Sequence, residues 1–78
     1  MNVIVESLTG KRMMFEVEPY DTICSLKQQI SVREGININS VGLVLAGKPL
    51  VNDKKLSEYD IKNNDLFYLI LVSKQKGG

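Results

Sequence analysis

The feature that most restricts this chain is the strict alternation of residues 12–18: Met13, Phe15 and Val17 fall on one side, and Arg12, Met14, Glu16 and Glu18 on the other. A period of two belongs to a half-buried antiparallel strand, because successive side chains leave a pleated backbone on opposite faces. Pro19 ends the segment. Upstream, Val3, Ile4 and Val5 form an apolar run, and Leu8-Thr9-Gly10-Lys11 supplies a glycine-containing turn between the two stretches. Together these residues predict a β-hairpin.

After the hairpin the period changes. Asp21 and Thr22 offer side-chain oxygens for capping a helix N-terminus, and Ile23, Leu26 and Ile30 follow at helical spacing, with Lys27, Gln28 and Arg33 expected to face outward. Gly35 is placed to stop the helix. Residues 40–45 read as a strand through Val41, Leu43, Val44 and Leu45, followed by a turn at Ala46-Gly47-Lys48-Pro49 and a short extended stub at Leu50-Val51. A polar loop over 52–55, one helical turn over 56–59 and a turn at Asn63-Asn64-Asp65 lead into an apolar strand over 66–72. Residues 73–78 carry no periodic apolar positions and end in two glycines, so they are expected to form an exposed, flexible tail. The expected organisation is a folded domain over 1–72 and a tail over 73–78. One sheet with a helix across one face is an α+β architecture in two layers.

Composition narrows the chemistry. Seventy-eight residues suffice for one small core, and 44% apolar with 24% charged residues describes a globular chain. Ten basic and nine acidic residues give a net charge of +1, which provides no broad field for nucleic acid or anionic membrane. Histidine is absent and Cys24 is the single cysteine, so the sequence lacks a histidine base, a Cys/His pair and a zinc-type ligand set. No catalytic residue, metal or cofactor is expected. A lone cysteine that has no intramolecular disulfide partner suits a reducing compartment, cytoplasmic or nuclear. Cys24 falls in the first turn of the expected helix, where the N-terminal dipole would favour a reactive thiolate, and the plainer reading is an inert cysteine. The longest apolar stretch, 66–72, is far too short to span a bilayer, and no basic segment followed by an apolar run marks a secretory signal. The expectation is a protein neither exported nor inserted.

Leu8-Thr9-Gly10-Lys11, Glu16-Val17-Glu18-Pro19, Asp21-Thr22-Ile23, Glu34-Gly35-Ile36, Ala46-Gly47-Lys48 and Leu56-Ser57 resemble the ubiquitin family at matching positions, without a gap from Met1 to Leu71. The resemblance covers turns, caps and core positions together and implies a β-grasp fold, a mixed sheet with one helix packed across it. It also implies that Tyr59 closes its loop through the hydroxyl. For Gly77 and Gly78 it implies that the carboxyl group of Gly78 is adenylated, passed to cysteine thiols of activating and conjugating enzymes, and joined to a lysine amine. Deconjugating enzymes would reverse the step. Two residues without Cβ atoms let a tail thread a narrow channel, and an unbranched carbonyl is open to thiolate attack. The plainer reading is that the glycines are an ordinary linker.

The tail departs from the family. It is two residues longer after Leu71, and the family's tail arginine falls at Val72, so a pocket shaped for a guanidinium would lose its bidentate partner. Ser73 and Gln75 follow, while Lys74 and Lys76 keep positive charge.

The resemblance further implies an exposed apolar docking patch at Leu8, Val44 and Ile70, edged by Gly47 and Lys48. At its rim Gly42 replaces a basic residue and Tyr68 a histidine, which makes the surface more apolar and offers Tyr68 as an added anchor. Single aliphatic residues at 44 and 70 are equally explained by strand propensity. A second small patch would draw on Leu8, Ile36 and Leu71 but is interrupted by Ser73. Lysines that carry further modifier units in the family are retained at Lys11, Lys27 and Lys48, while others fall at Glu6, Gln29, Arg33 and Asn63. The plainer reading makes Lys11 and Lys48 solvated turn residues and Lys27 a partly buried helix residue paired with a carboxylate.

The expected function is a monomeric protein modifier recognised by ubiquitin-binding domains. The alternative is a non-covalent domain of a larger protein that docks on a proteasome receptor or another ubiquitin-binding partner. A sulfur carrier shares the terminal Gly-Gly logic and forms a third class.

Overall fold

The alternating segment lies in β2 (Arg12–Glu16), which pairs antiparallel with β1 (Asn2–Glu6) so that Val3 meets Phe15 and Val5 meets Met13. The computed structural model describes residues 1–72; the expected tail over 73–78, with Gly77 and Gly78, lies outside the described residues. Between the first two strands, Ser7 organises the turn. Its N–H donates to the Lys11 carbonyl at 2.7 Å, its carbonyl accepts from Gly10, and its Oγ accepts from the N–H groups of Thr9 and Lys11. The turn is thereby held by backbone and hydroxyl, leaving Leu8 half exposed at its tip.

Helix α1 (Ile23–Glu34) begins where Thr22, in an extended conformation, accepts the Ser25 N–H on its side chain at 3.1 Å. Asp21 plays a different part: its carboxylate accepts the Glu18 N–H at 2.9 Å and closes the preceding turn. Gly35 ends the helix with φ 68°, a left-handed conformation that costs a residue with a Cβ but not glycine, and its N–H returns to the Ser31 carbonyl. Ile23, Leu26 and Ile30 are fully buried against the sheet.

A 3-10 turn at Ile38–Ser40, not anticipated from the sequence, leads into β3 (Val41–Leu45). Ala46 and Gly47 both take positive φ, 53° and 78°, the geometry of a two-residue hairpin whose twist matches its strands. Because that turn needs only two residues, the returning stub β4 forms at Lys48–Pro49 and not at the expected Leu50-Val51. A second 3-10 turn spans Leu56–Tyr59, and β5 covers Leu66–Leu71, one residue shorter than expected.

The strands lie in the order β2-β1-β5-β3-β4, with β5 parallel to β1 and antiparallel to β3. Val3, Val5, Phe15, Leu43, Phe67 and Leu69 point to the helix side and, with Leu26 and Ile30, make one core. The loop after β4 is tied to the helix start: the N–H groups of Ile23 and Cys24 donate to the carbonyls of Lys54 and Asn52. The Tyr59 hydroxyl accepts the Val51 N–H at 2.9 Å, the loop-closing role expected of it. This is the α+β, β-grasp architecture.

Candidate functional site

Alternation along β5 sends Phe67 and Leu69 into the core and leaves Tyr68 and Ile70 on the opposite, solvent-facing side of the sheet. Register with β3 sets their neighbours: Val44 stands directly across from Tyr68, and Gly42 from Ile70. Tyr68 is 43% exposed and Ile70 39%, while Val44 is half-buried. Three of the expected patch residues therefore form one surface through backbone pairing alone. Gly47 and Lys48 lie exposed in the adjacent hairpin.

Leu8 is placed differently. It lines a small hollow of about 120 Å³ with Thr9, Ile36 and Leu69, which sets it near Ile36, a residue of the second small patch that was expected to be interrupted at Ser73. Leu71, the third member of that patch, is largely exposed.

The polar half of the same sheet face is distinct. Glu6 pairs across β1 with Arg12 on one side and with Tyr68 on the other, and its carboxylate accepts from Arg12 Nε at 3.0 Å. The apolar surface thus ends at an ion pair.

Of the three lysines singled out, Lys48 is exposed, and Lys11 sits 3.2 Å from the Glu34 carboxylate while remaining largely in solvent. Lys27 departs from both expectations. It does not face outward, being only 8% exposed, and its partner is not a carboxylate: Nζ donates to the Asn52 side-chain oxygen at 2.7 Å. The cause is the loop that crosses the helix start, which brings residue 52 over the second turn of α1 and leaves Lys27 beneath it. Burial lowers its pKa from the ordinary 10.5, outweighing the opposing pull of the Cys24 sulfur. Periodicity could not show this, because the contact spans 25 residues of sequence.

At the second 3-10 turn, the Lys55 N–H donates to the Glu58 carboxylate at 2.9 Å and holds that carboxyl below its ordinary pKa. The contact fixes the turn and is remote from the sheet face.

The five-stranded order, the one α-helix among the described residues and the aliphatic-aromatic face define a β-grasp module of the ubiquitin-like class. A profile of the Ubiquitin family matches residues 2–74. "Ubiquitin-like protein NEDD8" of Dictyostelium discoideum is 34% identical over 72 residues, which cover 92% of this chain and 94% of that protein. "Ubiquitin-like protein 1" of Schizosaccharomyces pombe is 30% identical over 72 residues, covering 92% of each. "Ubiquitin-like protein 4A" of Plecturocebus moloch is 28% identical over 76 residues, 97% of this chain but 48% of that protein. The chain belongs to the ubiquitin family.

Proposed function

We propose that this protein is a ubiquitin-like modifier, joined through the carboxyl group of Gly78 to lysine amines of other proteins and read through the Val44, Tyr68 and Ile70 face. The observation that carries the reading is similarity to ubiquitin-like proteins of which 94% and 92% of the lengths are matched, in a sequence that holds Gly77-Gly78 beyond the described residues. In this reading the chain is a substrate. Catalysis belongs to activating and conjugating enzymes, whose thiols carry the Gly78 acyl group until a lysine amine displaces the sulfur and forms the isopeptide bond. Among its own lysines, Lys48 and Lys11 have the exposure an acceptor needs, whereas Lys27 is 8% exposed and bonded to Asn52. The free Cys24 suits a cytosolic or nuclear setting.

The decisive experiment is a denaturing immunoblot of N-terminally tagged chain in its source cells, beside a form lacking Gly77 and Gly78. Heavier bands that resist thiol reduction and require the glycines are the expected result. A single band at the free mass in both lanes overturns covalent attachment.

The second reading is a non-covalent docking domain of a larger protein. It is supported by the 28% identity to Ubiquitin-like protein 4A, of which this chain spans about half. Both readings use the same sheet face. Retained capture of ubiquitin-binding domains or proteasome receptors, without bands of conjugate, selects the second.

A further inference from the structure

Beside the docking face, a cleft of about 550 Å³ opens where α1, β3 and the loop after β4 meet, with Lys27 and Asn52 in its lining and Ile70 and Val72 among its apolar residues. Lys27 is more than nine-tenths buried, yet its hydrogen bond among the described residues goes to a neutral amide, that of Asn52. An ammonium carries three N–H donors, so two remain for whatever enters the cleft. Among the described residues no carboxylate lines it; the other polar side chains there include the amides of Gln28 and Asn39. A buried cation without an opposite charge is costly, and an entering carboxylate would supply both the charge and the acceptors.

The apolar part of the lining restricts the occupant further. Ile70 and Val72 are 39% and 42% exposed, and Val72 packs over Gly42, where an added Cβ would stand 3.0 Å from Val72 Cγ2. Ile70 belongs to both the cleft and the docking face, so the two surfaces are continuous. From this geometry we infer that the Lys27 cleft receives an acidic side chain, flanked by aliphatic residues, from a protein partner lying on the Tyr68-Ile70 face. The inference rests on the docking reading of that face. It adds a charge requirement to what would otherwise be an apolar contact, and so a means of choosing among partners.

The test is an NMR titration of the full isotope-labelled chain with two probes, Ac-Leu-Glu-Leu-NH2 and Ac-Leu-Gln-Leu-NH2. The glutamate peptide is expected to move the Lys27 Nζ and Asn52 side-chain signals and to bind about tenfold tighter than the glutamine peptide. Lys27→Met should erase that preference. Asn52→Asp should erase it too, by supplying an internal carboxylate to Lys27, and this second variant retains the lysine should methionine at 27 compromise folding. Equal affinities for the two peptides, or no movement at Lys27, overturn the inference. Equal movement of Lys27 by inorganic phosphate would show a general anion site and also overturn it. Tyr68→Ala, which lies outside the cleft, tests the docking face separately through capture of ubiquitin-binding domains. Loss of capture with an unresponsive Lys27 removes the cleft and leaves the face standing.

Discussion

Two sets of residues on the same six-residue strand show how differently one backbone can use its neighbours. Phe67 and Leu69 of β5 are buried under the helix, while Tyr68 and Ile70, one step along the chain in each case, stand in solvent on the other side. The inner pair is held by packing, and its loss is felt by the whole fold. The outer pair keeps 43% and 39% of its surface exposed beside Val44 and Gly42, and that surface is available to a partner. Chemical similarity between the sets is therefore a poor guide to role. Direction from the sheet decides it.

The largest expected effect breaks the inner set. Phe67→Ala empties a fully buried position and is expected to cost about 3–5 kcal/mol of stability, read as a lower urea midpoint at unchanged slope. If Tyr68→Ala were equally damaging to the fold, the division between the two faces would fail.

A smaller effect tests how the inner face is covered. Thr22→Ala removes the oxygen that receives the Ser25 N–H at the start of α1, and should cost about 1 kcal/mol by the same measurement. An unchanged midpoint would mean that the helix is held over the core by its apolar stripe and the Asn52-Lys54 loop without help from its cap.

Lys27 sharpens the comparison, being a cation on the side of the helix that the loop covers. Its pKa is lowered in the fold, so between that lowered value and the ordinary 10.5 the unfolded chain binds more protons and stability rises with pH. Urea midpoints of the wild-type chain should therefore climb relative to those of Lys27→Met as the solution is taken through that alkaline window. Parallel curves would show that burial exacts no charge penalty at this position.

The smallest expected effect on the fold comes from the outer set. Tyr68→Ala and Ile70→Ala should each change stability by no more than about 0.5 kcal/mol. The same substitutions should weaken capture of a ubiquitin-binding domain by on the order of 2 kcal/mol if these side chains are anchors. Calorimetric titration reads the second quantity, and full retention of affinity would remove the face from the docking reading.

Much of this architecture was legible because it depends on local rules. Met13, Phe15 and Val17 announce a strand by their period, Thr22 and Gly35 announce the ends of a helix by the conformations and hydrogen bonds those ends require, and Ala46-Gly47 announces a turn. The sequence places β4 two residues late because Ala46-Gly47-Lys48-Pro49 has the composition of a single turn, whereas the left-handed pair at 46 and 47 turns the chain alone. Tyr59 was legible only through family resemblance. Its hydrogen bond to Val51 has no signature in composition or spacing.

The candidate site divides along the same line. Tyr68 and Ile70 share a face by alternation, which sequence states directly, but their alignment with Val44 and Gly42 follows from the register of β5 against β3. Leu8 illustrates the limit in the other direction: the residue was identified, and the turn built on Ser7 decided that its hollow is shared with Ile36 and Leu69.

By itself, then, the sequence determined the hairpin, the helix with its two ends, β3, β5 and the alternation of buried and exposed positions, since each is a property of residues close together in the chain, and its composition determined the absence of histidine chemistry. Tertiary structure decided which strands became neighbours, which half of the outer face stayed apolar beside the Glu6-Arg12 ion pair, and that Lys27 meets an amide beneath a loop. Those outcomes depend on contacts between residues far apart in sequence, where the same lysine is solvated or buried according to what the folded chain lays over it.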